Sequence, residues 1–320
     1  MTVQRTTGVL VVGGANMDLK ARSARPVLAG TSNPGEMLLS PGGVGRNIAE
    51  NAARLGAPVA LVSIVGSDGL GIELLEATEA AGVDISEVLR TAETTGTYTA
   101  LLDADGELVA AVAAMAATDG LDPAHVAGAV ARAAAGTLVV ADGNLPPAVL
   151  EAVLGAARSA GLRVVVEPVS VPKALRLAPV LHGPVFLVTP NRDELAALTG
   201  VPVETLGGPD SPGGLVQAAE KLRAGGTEWV WVRLGSEGSI LVGPEGSVTL
   251  PPYRVEVVDV TGAGDAMLGA FCSALVAGSS VEEAARFGQA AAVVTIASHQ
   301  TVVSNLDIAR VREVLDAADH

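Results

Sequence analysis

Asp259-Val260-Thr261-Gly262-Ala263-Gly264-Asp265 joins an extended run, residues 253–258, to a helical run, residues 266–276. A strand feeds a turn of small residues, and the turn feeds a helix N-terminus. Gly262 and Gly264 lack the Cβ atoms that would hold a bound group off the backbone. The first turn of a helix carries free N–H groups and the positive end of the dipole. The stretch therefore reads as an anion site, most often one for phosphate. Asp265 lies inside that site and is open to two readings. It is a capping carboxylate at the dipole, or a general base that removes a hydroxyl proton while the adjacent amides hold a transferring phosphoryl group.

Composition narrows the setting. The 320 residues suffice for one large α/β domain or two small ones. Hydrophobic content is 49% but aromatics only 2%, so the core must be built from Ala, Val and Leu. A formal net charge of −15 argues against a binder of nucleic-acid backbones and against an anionic membrane surface. It leaves room for a small anionic ligand held by local amides. Cys272 is the only cysteine, so the chain holds no disulfide framework or cysteine zinc site, which fits a reducing cytoplasm. On the helix after the glycine turn, a buried apolar role suits it better than a nucleophilic one. Residues 1–7 lack the apolar core of a signal peptide, and the Ala-rich run 108–117 is too short to cross a bilayer. His125, His182, His299 and His320 are scattered, with no metal-ligand spacing.

Toward the N-terminus, residues 9–12 read as a buried parallel strand ending in Gly13-Gly14. Ala15-Asn16-Met17-Asp18 follows at its carboxyl end, where open α/β sheets place ligand groups. Asp18 suits a hydroxyl ligand or an Asx-turn. Pro41-Gly42-Gly43-Val44-Gly45-Arg46-Asn47 is a second glycine turn, before a helix over 48–55 that Gly56 closes. Asn47 caps that helix or reaches a ligand; Arg46 is a surface charge or an anion clamp. A strand over 59–65 and a helix over 71–81 come next. Runs 97–102 and 107–112 flank Asp103-Ala104-Asp105-Gly106, a hairpin signal. With the irregular segment 19–40, that hairpin would form a small sheet over the ligand edge, a lid.

Further on the alternation is regular. Helices are expected near 123–134, 147–160, 192–198 and 214–224, and strands over 137–141, 162–166, 185–188 and 229–233. The pattern implies a parallel sheet with helices on both faces. Polar groups collect at the strand ends: Asp142 and Asn144, Glu167, Asn191 and Glu194, and Arg233. A cleft along the carboxyl ends predicts that placement. A last helix over 281–297 starts with Ser280 and Glu283 at capping-box spacing and carries Gln289, a ligand contact or a plain buried amide.

Two glycine turns before helices, an Asp in the second, and Asn191-Arg192-Asp193-Glu194 between them form a constellation. It resembles the ribokinase-like (PfkB) carbohydrate kinase family over essentially the whole chain. The resemblance implies a single domain over 1–320. Its fold would be a three-layer α/β/α sandwich with a mainly parallel central sheet and a small β-sheet lid near 17–41 and 95–114. By resemblance, Asp265 is the catalytic base, and the amides of Gly262, Ala263 and Gly264 form the anion hole. Asp18, Asn16, Gly42, Gly43, Asn47, Asn33 and Asp142 fall on the substrate side. Asn191, Arg233, Gly235, Thr261, Gly264 and Gln289 fall on the nucleotide side. The implied cofactors are ATP and Mg²⁺, with Glu194 holding Mg²⁺ through water. The family also admits K⁺ beside the anion hole, where Asp259 and the Thr261 carbonyl match; the loop over 298–304 matches loosely.

Within the family, Ser32-Asn33-Pro34-Gly35 leading into the early glycine turn, Val140-Ala141-Asp142-Gly143-Asn144 and Glu167-Pro168-Val169-Ser170 are similar to the pseudouridine kinase subgroup. Glu167 stands where that subgroup is expected to carry Asp. The implied reaction is phosphorylation of the pseudouridine 5′-hydroxyl by ATP, with Asn33, Thr97 and Thr99 as lid contacts to the base. The implied partner is a small nucleoside or sugar, and the family admits a homodimer through the lid. Alternatives are a kinase of ribose or another nucleoside, and a non-catalytic sensor, whose expected mark is loss of the base. No G-x-x-x-x-G-K-[ST] loop is present, and Gly13-Gly14-Ala15 lacks dinucleotide spacing, which disfavours a P-loop kinase and a Rossmann dehydrogenase.

Overall fold

The computed structural model describes residues 8–318; the readings of residues 1–7 and of His320 fall outside the described residues. Nine strands among them form one sheet. Across it they run Gly246–Leu250, Ser239–Gly243, Thr227–Arg233, Val185–Val188, Arg163–Glu167, Leu138–Asp142, Val9–Val12, Val59–Val62 and Val83–Asp84. Pairing is parallel from Thr227–Arg233 to Val83–Asp84 and antiparallel at the other edge. Val9–Val12 and Leu138–Asp142 are buried along their whole length. Strands covered on both faces have no reason to alternate, hence the unbroken Val, Leu and Ala of residues 9–12 and 138–141.

Side chains leave each strand on alternate faces, so each strand feeds two cores. Val12, Val139 and Val166 pack with Val126 and Val130 of helix Pro123–Arg132 and Val149 and Val153 of helix Pro147–Ala160. Val11, Val140 and Leu187 pack on the other face with Ile48 of helix Val44–Arg54 and Leu268 and Phe271 of helix Ala263–Val276. The result is the expected three-layer sandwich. The few aromatics are concentrated: the Trp231 and Phe271 ring centroids lie 5.4 Å apart in the second core.

A separate sheet has the order Gly35–Gly42, Asn16–Ser23, Thr97–Leu102, Leu108–Ala114. Its hairpin turn is built as the Asp-Gly signal implies. Asp103 Oδ1 accepts the amides of Asp105 and Glu107, each at 2.9 Å, and Gly106 takes φ 93°. Two expectations are corrected. Residues 253–258 form no strand. Pro251 and Pro252 lack the N–H a ladder needs, and the Val258 and Asp259 amides donate instead to Ile296 O, at 2.8 and 3.3 Å. Helix Val281–Ile296 is not the last, because helix Ile308–Ala318 follows and packs on it through Val311 and its neighbours. Among the described residues no helix is long and apolar enough to cross a membrane.

Candidate active site

The two N-terminal glycine turns interlock. A Cβ on Gly43 would lie 2.5 Å from Gly14 O, and one on Gly45 would lie 2.7 Å from Gly13 Cα. Gly43 also has φ 95°, which side-chain-bearing residues rarely adopt. Asp142 closes the joint. Its Oδ2 accepts from Gly14 N at 2.9 Å and Gly45 N at 2.8 Å, and its Oδ1 from Asn144 N at 2.8 Å. Burial raises this carboxyl, and the amides oppose the rise. Asp142, expected at the substrate, is thus a brace beneath the turns, with its oxygens taken by backbone amides.

Asp18 stands on the lid strand Asn16–Ser23. A Cβ on Gly42 would come within 2.5 Å of Asp18 Oδ2, so glycine is what admits the carboxylate there. Asn16 Nδ2 donates to Asp18 Oδ1 at 2.7 Å; burial raises the Asp18 carboxyl and this bond opposes it. The pair offers acceptors and a donor suited to a polyhydroxyl ligand. Thr97 and Thr99 are half-buried on the neighbouring strand, beside Met17 and Leu19. Asn33 is corrected. Its Oδ1 accepts from Leu28 N at 2.9 Å and its Nδ2 donates to Leu28 O and Thr31 O, at 3.0 and 3.2 Å. Its amide holds its own loop.

Gly262 starts helix Ala263–Val276 at φ 79° with no side-chain cap, so the first-turn amides depend on an outside acceptor. Ala263 N makes a long turn bond to Val260 O at 3.3 Å. A Cβ on Gly262 would come 2.0 Å from Thr301 O, so the loop after helix Val281–Ile296 seals the turn. Asp265 is in the first helical turn, half-buried. Asn47 Nδ2 donates to its Oδ2 at 2.9 Å. Asn47 therefore lies inside its own helix and reaches the turn of Gly262 to Gly264 rather than capping its helix. Gly269 permits the meeting: a Cβ on it would lie 2.8 Å from Ile48 O, so the two helices cross almost backbone to backbone. Burial pushes the Asp265 carboxyl up to about 7; the Asn47 bond opposes, Glu167 adds to the rise, Arg233 opposes and Asp142 adds.

Arg233 ends its strand beside Asn191 and anchors the other wall. Its Nη2 donates to Glu167 Oε1 at 2.7 Å and Glu194 Oε2 at 3.2 Å. Its Nη1 would touch a Cβ on Gly264 at 2.5 Å, which puts the guanidinium against the anion turn. Its Nε is buried with no hydrogen-bond partner. Burial works against its charge, but Glu167 and Glu194 more than offset that and hold its pKa up. Asn191 and Glu194 form a capping box on helix Arg192–Thr199. Asn191 Oδ1 accepts from Glu194 N at 2.9 Å, and Glu194 Oε2 from Asn191 N at 2.8 Å. Burial raises the Glu194 carboxyl against the pull of Arg233. Val169, two residues beyond the end of strand Arg163–Glu167, has φ 72°, a strained position for a β-branched residue.

A cavity of about 610 Å³ opens next to Gly264. Asn191, Arg233 and Gly264 line its polar end; Val257, Val260, Met267, Ala292 and Ile296 line an apolar one; Gly235 and Gln289 are also on its wall. An apolar slot ending in a charged guanidinium with an unmet N–H fits a nucleoside carrying phosphates. Among the described residues no group of three or more His, Cys, Asp or Glu is placed to hold a metal. A Mg²⁺ here would be held through phosphates and water, its usual habit, with Glu194 as the nearby carboxylate. Asp259 Oδ1 accepts from Thr261 N at 2.8 Å and Thr261 Oγ1 at 2.7 Å. Burial works to raise the Asp259 carboxyl, yet these bonds hold it below the usual range.

Sequence reasoning misassigned one residue here and missed another. Arg46 is neither a surface charge nor an anion clamp: it is 3% exposed and donates to Asn47 Oδ1 at 2.9 Å. Lys173, on the unforeseen helix Val171–Leu177, bonds to Asn144 Oδ1 beside Gly14. Pro172 in the first turn of that helix was a signal that could have found it.

Residues 6–308 match the pfkB family of carbohydrate kinases. Pseudouridine kinase of Escherichia coli is 32% identical over 315 residues, 97% of each chain. Ribokinase of Haemophilus influenzae is 30% identical over 271 residues, 83% of this chain and 86% of that one. The solved ribokinase of Arabidopsis thaliana, complexed with ribose and ATP, superposes with a TM-score of 0.80 at 27% identity, covering 97% of this chain and 99% of that one.

Proposed function

Because the chain belongs to the pfkB family of carbohydrate kinases, we propose that it phosphorylates the 5′-hydroxyl of pseudouridine, giving pseudouridine 5′-phosphate. The observation that carries the chemistry is Asp265 beside an uncapped helix N-terminus, with Arg233 against Gly264. Likeness to a pseudouridine kinase over 97% of both chains supports the substrate. ATP when bound supplies the transferable phosphoryl group, and Mg²⁺ neutralises its charge. The protein does the rest. Asp18 and Asn16 hold the acceptor hydroxyls. Asn47 fixes Asp265, whose carboxylate takes the proton of the attacking hydroxyl. The amides of Gly262 to Gly264 and the Arg233 guanidinium hold the anionic group in line.

Residues 1–320 act as one kinase domain, with the separate sheet as a lid that excludes water on closing. Leu39 and Val112, on one face of that sheet, are 40% and 66% exposed, a surface suited to burial against a second copy of the chain. K⁺ is assigned to the Asp259 and Thr261 turn as an optional activator. Similarity to a ribokinase favours a second reading, a kinase of ribose or another nucleoside with the same catalytic residues. The test is ADP release with Mg-ATP across pseudouridine, uridine, ribose, adenosine and fructose, with and without K⁺. Strong preference for pseudouridine is expected; preference for another acceptor discards the substrate and keeps the kinase. Asp265→Asn is expected to lower kcat by roughly a hundredfold or more. Near-wild-type turnover in it would refute the base.

A further inference from the structure

Arg46 lies in the interior, and no step above uses it. A buried guanidinium is costly unless its donors are met. Nη2 pairs with Glu50, Nε donates to Thr78 Oγ1 at 3.2 Å, and Nη1 donates to Pro41 O at 3.1 Å and Asn47 Oδ1 at 2.9 Å. Glu50 also pairs with Arg54, so three charges run along one face of helix Val44–Arg54. Replacing such a ladder by apolar side chains is often neutral or stabilising, so stability is a weak reason for it.

The bond to Asn47 suggests a better one. Arginine only donates, so the end of the Asn47 amide that meets it must be the oxygen. The amide is planar, and its NH₂ then faces the other way, where it donates to Asp265 Oδ2 at 2.9 Å. An inverted amide would aim its carbonyl oxygen at the carboxylate. We infer that Arg46 is a positioning residue, which holds the Asn47 amide in the one orientation that donates to the catalytic base. The inference rests on reading Asp265 as that base. Four charged groups face Asp265. Glu167, Asp142 and Arg233 stand at strand ends, and Arg46 lies on the crossing helix. The two acids disfavour the ionised form and the two arginines favour it. Loss of Arg46 removes both the amide lock and a favourable charge, so both effects leave Asp265 protonated to a higher pH.

The experiment measures kcat/KM against pH for Arg46→Met, Arg46→Lys and the double variant Arg46→Met/Glu50→Met, beside Asp265→Asn. In the two Met variants the acid limb should move up by about one pH unit, with KM for ATP within about twofold of wild type. Arg46→Lys should fall between. Unfolding against pH gives the same reading without a substrate: the decline in stability on raising pH should extend about one unit further in the Met variants than in wild type. An unmoved limb in a folded Met variant overturns the inference, as does loss of folded protein in all three, which would make Arg46 a folding residue. Asp265→Asn separates the causes. If it is inactive while the limb stays put, only this inference fails; if it turns over normally, the base itself is wrong.

Discussion

Gly269→Ala tests how closely the helix of the base must meet the helix of Asn47. The added methyl would sit 2.7 Å from Asn51 Cβ, 2.8 Å from Ile48 O and 3.0 Å from Ala52 N. Two of these are backbone atoms, so no rotamer change relieves the clash. The helices must separate by roughly half an ångström or more, an overpacking that costs about 1–3 kcal/mol. Alanine's helix propensity returns about 1 kcal/mol of that, leaving a net loss of about 0–2 kcal/mol. Asn47 and Asp265 lie on these same helices, and their 2.9 Å bond stretches with the separation. A hydrogen bond to a charged group contributes about 1.5–3 kcal/mol, so its loss should lift the Asp265 titration by about one unit or more. Urea unfolding should show the destabilisation. The pH–rate profile should show activity at pH 7 reduced about fivefold and regained above pH 8. A variant stabilised by the propensity gain alone, with an unmoved acid limb, would refute the argument from close crossing.

Other outcomes follow from the same geometry. Activity should rise with pH through about 7 as Asp265 loses its proton; an acid limb near pH 4 in the pH–rate profile would contradict the burial of that carboxyl. The sign carries over to stability. A carboxyl raised in the folded state binds its proton more tightly folded than unfolded, so stability falls as pH rises from about 4 to 7. Asp265→Asn should therefore gain stability over wild type at pH 8 and lose that gain by pH 4, as thermal unfolding at each pH would show. Gly42→Ala places a methyl 2.5 Å from Asp18 Oδ2, so steady-state kinetics should show a raised acceptor KM and little change in KM for ATP. Cys272 is fully buried and burial raises its thiol; a chromogenic thiol reagent should modify it only as fast as the protein unfolds.

Local pattern was enough to establish the sandwich. Unbroken Val and Leu runs of strand length, glycine turns before helices and regular βα alternation each follow from short-range rules of burial and backbone freedom. Helix Pro147–Ala160 and strand Val185–Val188 lie where periodicity places them. The hairpin at Asp103 to Gly106 was legible because a turn's chemistry lies in four consecutive residues. Segment 253–258 was not: its β-prone side chains imply a strand, but it forms none, and its Val258 amide donates to the carbonyl of Ile296, distant in sequence. The polar groups of the cleft could be expected from their places at strand ends, whereas their partners could not. That Asp142 braces two turns, that Arg233 binds Glu167 and Glu194, and that Arg46 turns the Asn47 amide toward Asp265 are contacts across many residues of chain. Sequence by itself determined which backbone segments could exist and which chemical groups stood at their ends. Only the tertiary structure decided which of those groups meet and which titrate abnormally, because hydrogen bonding and desolvation depend on distance and burial in space, which residue order along the chain does not encode locally.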